Sequence, residues 1–187
     1  MNKKRNSKIR TYTGLMFDPL NPDPDLINIE DIAHALSMQC RFSGHTTFHY
    51  SVGSHSLVVC RLCPAEHQLW GLLHDASEAY LVDLPSPVKK CSEFKVFRRY
   101  EQRLHEAIHY RFKVQSQIDE PAVKHADAVA LAAEKRQTMG LTSSLEGLDW
   151  REVEAAESLI HMNPTWYVER AFLEMFRRLS AKNEAQP

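Results

Sequence analysis

His74-Asp75, Glu78 and Asp83, in the run LLHDASEAYLVDLPSP, are the residues of this chain best suited to chemistry. Four ionisable groups within ten residues at the end of an apolar stretch must be paired, hydrated or coordinated. Imidazole and carboxylate together suit a hard or borderline divalent ion. On a helix His74 and Glu78, four apart, and Asp75 and Glu78, three apart, point into one sector. A His-Asp pair alone reads more readily as the polar end of a helix; further ligands elsewhere change that. His55 sits in YSVGSHSLVVCRL, where Val52, Leu57, Val58, Val59 and Leu62 indicate a buried helix. Asp127 sits in VKHADAVALAAEKR, a strong helix former, among small apolar residues where a carboxylate seldom lies free. A surface pairing of Asp127 with His125 or Lys124 would leave the other three unexplained. His55, His74, Asp75 and Asp127 therefore form the expected ligand set.

Two histidines and two carboxylates leave positions open on an octahedral ion for a water and a substrate oxygen. The ion expected is divalent, from among Mn, Co, Zn, Ni, Fe and Mg. Glu78, on the ligand face but not needed as a ligand, is placed to orient or deprotonate the water. Asp83, at the start of the LPSP turn, has three roles open to it: protonating the leaving oxygen, holding a sugar hydroxyl, or carrying a second metal through water. Lys89 is expected to assist with phosphate. Lys90 and the arginines of FRRYEQR read as a solvated face.

The order H…HD…D formed by these residues resembles the HD-domain metal-dependent phosphohydrolases. The fuller string HDASEAYLVDLPSPVK, preceded by CRFSGH and SVGSHS, resembles the bacterial and prophage 5'-deoxynucleotidases and the related phage deoxynucleoside triphosphohydrolases. The resemblance runs from about Ile9 to about Gln137. It implies an all-α fold, a compact HD-type helical bundle, and an enzyme that releases phosphate from deoxynucleoside monophosphates, with a triphosphohydrolase using the same site as the alternative. In the resembled enzymes an arginine at the position of Arg41 binds substrate phosphate, a task its forked and permanently charged head suits. Phe42 is then either an aromatic face for the sugar or base or a core residue. His45 and His49 are candidates to line the same pocket. The family also implies a homo-oligomer. A non-catalytic nucleotide-binding regulator is the reading from another class, against which Glu78 and Asp83 argue. A cyclic-nucleotide or (p)ppGpp hydrolase is a further one, against which the compact motif spacing argues.

The elements that must position these residues read as helices. At 187 residues with 43% hydrophobic and 25% charged, the chain is expected to be one globular domain. It divides into an extended N-terminal arm over 1–28, a metal-binding core over 29–137 and C-terminal helices over 138–187. Helical spacing is expected in INIEDIAHALSMQC, ending near Arg41, and in SVGSHSLVVCRLC, EHQLWGLLHDASEAYL, FKVFRRYEQRLHEAIHYRF, EPAVKHADAVALAAEKRQTM, DWREVEAAESLI and TWYVERAFLEMFRRL. No segment is a Gly-rich phosphate loop. A net charge of -1 argues against a nucleic-acid polymer and for a small deoxynucleotide substrate. No apolar run approaches membrane length, and MNKKRNSKIR lacks the apolar stretch of a signal peptide, so a cytoplasmic protein with no membrane partner is expected. Cys60-x-x-Cys63 lacks a second pair and reads as core packing. Trp166, Tyr167, Phe172, Met175 and Phe176 form a stripe on the last helix, suited either to the core or to the interface of a two-fold dimer.

Overall fold

The computed structural model describes residues 7–114, 120–141 and 147–184. It is mostly helical, with a two-stranded antiparallel hairpin, β1 (Ile9–Arg10) with β2 (Met16–Phe17), in the N-terminal arm and an isolated antiparallel bridge between Cys40 and Ser51. The helices are α1 (Ile29–Met38), α2 (Val52–Leu62), α3 (Gln68–Leu73), α4 (Glu78–Leu81), α5 (Ser86–Lys89), α6 (Lys95–Arg111), α7 (Glu120–Met139), α8 (Trp150–Glu157) and α9 (Thr165–Glu184). Among the described residues no helix is long and apolar enough to cross a membrane.

Local signals account for several boundaries. Asn28 caps α1 by accepting from the Glu30 amide, Ser51 caps α2 by accepting from the Ser54 amide, and Asp149 caps α8 by accepting from the Arg151 amide. Past the end of α7, Gly140 takes φ +64° and the Leu141 amide donates to the Lys135 carbonyl, a left-handed helix stop.

α2 is the central helix. Every residue from Val52 to Cys60 is buried, and α1, α3, α7 and α9 all pack on it. One apolar cluster, including Phe17, Ile32, Leu36, Leu72, Leu73, Leu104 and Phe172, joins α1, α3, α6 and α9; a second, including Tyr50, Val59, Val129, Ala133 and Val153, joins α2, α7 and α8. α3 lies so close to α2 that a Cβ on Gly71 would stand 2.7 Å from the Cys63 sulfur, which explains the glycine there. Cys60 and Cys63 are free buried thiols of this packing, and burial pushes their pKa values up to about 12 and about 11.

Two expected helices are cut short. α1 stops at Met38 rather than running to Arg41, because the next backbone pairs elsewhere: the Val52 amide donates to the Gln39 carbonyl and the Arg41 amide to the Tyr50 carbonyl. EHQLWGLLHDASEAYL is not one helix either. α3 ends at Leu73, and the His74–Ser77 turn is closed by bonds reaching back three residues, among them Ala76 to Leu73 and Glu78 to Asp75. The cause is local: His74 turns its Nδ1 onto the Gly71 carbonyl at 2.7 Å, three residues back, which suits the tighter winding.

Candidate metal centre

Three elements converge on one cluster. α2 supplies His55, the turn after α3 supplies His74 and Asp75, and α7 supplies Asp127. The His55 and His74 Nε2 atoms stand 3.2 Å apart. His55 Nε2 is 3.1 Å from Asp127 Oδ1 and 3.5 Å from Asp75 Oδ2, and His74 Nε2 is 3.1 Å from Asp75 Oδ2. His55, His74 and Asp75 can hold a metal ion, since a ligand atom of each lies within 4.8 Å of the others. Asp127, the fourth expected ligand, lies outside that group of three: it meets His55 Nε2 alone, and its side chain is the most exposed of the four. His125, the alternative surface partner for Asp127, instead meets Glu152 at 2.9 Å.

The donor set fits a cation. His74 Nδ1 faces the Gly71 carbonyl and His55 Nδ1 faces Glu134 Oε1 at 2.6 Å, so both Nδ1 atoms are the natural N–H donors. In the neutral imidazoles that leaves the two Nε2 lone pairs converging with the two carboxylates on one point. Burial opposes charge on His74, yet Asp75 and its hydrogen bond push the imidazole pKa up to about 9. Burial likewise opposes charge on Asp75, but His74, His55 and Arg41 hold its carboxyl far below the ordinary range. Acceptors that draw protons onto their own imidazoles can hold a metal ion in the protons' place.

Around the cluster lie the other expected residues. Arg41 is buried, with its Nη1 3.5 Å from Asp75 Oδ2 and its Nε 3.1 Å from Glu134 Oε2. Burial works against its charge, but Glu134 and Asp75 more than offset this and hold the guanidinium protonated. It sits at the head of a turn in which Phe42 and Ser43 both take φ +53°, and the Phe42 ring centroid is 5.3 Å from its guanidinium carbon. Glu78 is buried; its Oε2 has no hydrogen-bond partner among the described residues and its Oε1 is 3.4 Å from Lys89 Nζ. Burial first, then the charges of Asp75 and Asp83, push its carboxyl well above the usual range. Asp83 is half-buried after Val82, with its amide donating to Gln39 Oε1, and burial raises its pKa also. Gln39 Nε2 donates to the Glu78 carbonyl, so one side chain ties the first residue of α4 to the backbone that follows the helix.

A cavity of about 370 Å³ opens beside the cluster. His74, Asp75 and Asp127 line one wall; Lys89, Arg98 and Glu101 line another, and Trp70, His105, Val123 and Lys124 complete it. Lys89 meets Glu101 at 2.7 Å. Arg41, Glu78 and Asp83 stand beside the cluster but do not line this cavity, and neither do Phe42 and the exposed His45 and His49.

The α6 residues expected to form a solvated face thus partly line the cavity: Arg98 donates to the carbonyls of Lys89 and Cys91, which fastens α6 to α5. Glu134 and Tyr50 are the residues beside the candidate site that the ligand pattern did not single out. Glu134 lies seven residues after Asp127, hence on the same face of α7, among alanines. A second charge in that setting was the available signal.

No family model matches the sequence. The chain is 37% identical over 147 residues to an uncharacterized protein of Rhodobacter capsulatus, covering 72% of this chain and 74% of that one. It is 34% identical over 180 residues to the uncharacterized protein YfdR of Escherichia coli strain K12, covering 93% of this chain and 96% of that one. An identity of that order sustained over nearly the whole of both proteins takes in all three elements that build the cluster, and the chain belongs to the family of YfdR.

Proposed function

We propose that this protein is a metal-dependent phosphohydrolase of the HD superfamily that acts on deoxyribonucleotides, most simply a 5'-deoxynucleotidase. The observation that supports this best is the convergence of two imidazole Nε2 atoms and two carboxylates beside a buried arginine and a buried glutamate with a free oxygen. His55, His74, Asp75 and Asp127 would hold the ion. When bound there, a divalent ion supplies positive charge against phosphate oxygens and acidifies water.

The chain's own groups divide the remaining work. Arg41 holds a phosphate oxygen through a permanently charged fork. Glu78 accepts the proton of the attacking water; its raised pKa makes it a stronger acceptor than a surface glutamate. As the water oxygen bonds to phosphorus and the phosphorus–oxygen ester bond breaks, Asp83 gives a proton to the leaving 5'-oxygen. Burial helps Asp83 keep that proton longer than a surface aspartate would. Lys89 holds Glu78 in place as well as facing the cavity. The cavity volume is in the range of small-ligand sites, about 300–1,000 Å³, and Trp70 offers an aromatic wall.

Arg98 and Lys124, which also line the cavity, favour a second reading in which the bound phosphate chain is longer and the products are a deoxynucleoside and triphosphate. The test is a panel of deoxynucleoside mono-, di- and triphosphates with each of Mn²⁺, Co²⁺, Mg²⁺, Zn²⁺, Ni²⁺ and Fe²⁺, with the released phosphate chain measured. Inorganic phosphate from monophosphates supports the first reading and triphosphate release the second. Nucleotide binding with no turnover under any ion would replace both with a non-catalytic nucleotide-binding protein.

A further inference from the structure

Behind the metal cluster lies a buried carboxylate that neither chemistry nor folding obviously requires. Glu134 is fully buried, and so is His55. Its two oxygens serve two different halves of the site. Oε1 accepts from His55 Nδ1 at 2.6 Å and from the Tyr50 hydroxyl at 3.0 Å, while Oε2 stands 3.1 Å from Arg41 Nε in an ion pair not aligned as a hydrogen bond, so that its hold on Arg41 is one of charge. Arg41 Nη1 is in turn 3.5 Å from Asp75 Oδ2, which is 3.5 Å from His55 Nε2. Glu134, His55, Asp75 and Arg41 therefore close a ring, in which two members are expected metal ligands and one the expected phosphate arginine.

We propose that Glu134 is the positioning residue of this centre, orienting His55 through one oxygen and restraining Arg41 through the other, so that metal binding and phosphate binding are coupled. This rests on the reading above, in which His55 is a ligand and Arg41 faces phosphate. The first half follows from the tautomer: with Nδ1–H held by a carboxylate, the Nε2 lone pair faces His74, Asp75 and Asp127, and the ring becomes a more basic ligand. The second half follows from charge. Arg41 lies between two carboxylates, and without Glu134 it would be drawn wholly onto Asp75, competing with the ion for that ligand. Tyr50 fixes the carboxylate by a bond from within the α2–α7–α8 apolar cluster. The placement is economical, because Asp127 and Glu134 share one face of α7.

The experiment measures Mn²⁺ affinity calorimetrically, with and without inorganic phosphate, on the full chain and on His55→Ala, Glu134→Gln and Tyr50→Phe, with thermal melting alongside. Glu134→Gln should weaken Mn²⁺ by roughly 10–100-fold, the range for orienting partners of metal ligands, and should shrink the gain in Mn²⁺ affinity that phosphate confers on the parent. At saturating Mn²⁺ the same variant should show a raised KM for the preferred deoxynucleotide with a smaller loss in kcat; a merely structural role would lower kcat through lost active protein and leave KM alone. Parent-like Mn²⁺ affinity and KM in a folded Glu134→Gln protein would overturn the proposal. If that variant does not fold, Tyr50→Phe, which keeps the ring and removes one bond to Glu134, should weaken Mn²⁺ several-fold, and parent-like affinity and KM there would overturn it equally. A His55→Ala protein that binds Mn²⁺ as the parent does would instead show that the ligand reading itself is wrong, and the proposal would fall with it.

Discussion

Replacing Glu78 by Gln separates chemistry from binding and from folding. Removing a positioned proton acceptor costs roughly 10²-fold or more in turnover, which is about 2.7 kcal/mol of barrier. The fold should tolerate the change. Breaking a buried ion pair is severe, about 3–5 kcal/mol, when it strands one charge. Lys89, however, is 3.4 Å from Glu78 and keeps its closer partner Glu101 at 2.7 Å, so no charge is stranded. The Oε2 of Glu78 already lacks a hydrogen-bond partner among the described residues, so an amide in its place exchanges one unsatisfied buried group for another. The net change should lie within about 1 kcal/mol, which for a chain of this size moves the melting point by no more than about 4 °C. Equilibrium dialysis with Mn²⁺ should return the parent stoichiometry, while phosphate release at saturating nucleotide falls at least 100-fold on the same scale. Turnover within about threefold of the parent would remove Glu78 from the proton transfer. Loss of the metal would make it a ligand instead.

Asp75→Ala and Asp127→Ala should both lose Mn²⁺ and activity while keeping their helical circular dichroism, Asp75→Ala the more completely, because its Oδ2 meets His74, His55 and Arg41; Ca²⁺ should support activity poorly in the parent. Val82 holds φ +99° and ψ 148°, a region open almost only to glycine, immediately before Asp83. The strain is about 1–3 kcal/mol and the entropy cost of a glycine about 0.5–1 kcal/mol, so Val82→Gly should raise the melting point by a few degrees and slow turnover by loosening Asp83; a lower melting point would refute the strain. His109, packed against Trp70 and His105 with ring centroids 4.4 and 3.9 Å away, is held neutral: burial, then His105, push its pKa down to about 3. A depressed histidine pKa means stability that is present above the unfolded value of about 6.5 and is lost as the pH falls below it, so the urea midpoint of His109→Phe should drop less between pH 7 and pH 4.5 than the parent's; parallel curves would contradict this. Of the C-terminal stripe, Phe172 is buried, Met175 and Phe176 pack against the core, and Trp166 and Tyr167 remain 64% and 47% exposed; a two-fold dimer through these two should appear in light scattering and revert to 21.6 kDa in Trp166→Glu, and a parent already at that mass would end the idea.

Legibility in the sequence followed how local each cause was. α7 was expected over EPAVKHADAVALAAEKRQTM and spans Glu120–Met139, because alanine, an early proline and a following glycine all act within a few residues of the helix. That His55, His74, Asp75 and Asp127 lie near one another could be read because a charge among apolar residues needs a partner wherever the chain later goes. The break at His74 could not: it depends on a side chain choosing the Gly71 carbonyl and on α3 pressing against α2 at Gly71, and neither is a propensity. Arg98 was assigned to solvent for the same reason, since only the docking of α6 beside α5 turns it to the cavity. Glu134 is the instructive case, because the rule that marked Asp127 applies to it unchanged. Two charges seven apart on an alanine-rich helix share a face, so whatever Asp127 approaches, Glu134 must approach one side of it. His55 is what both approach, Asp127 at Nε2 and Glu134 at Nδ1, and a single helix thereby presents one group to each nitrogen of the same ring.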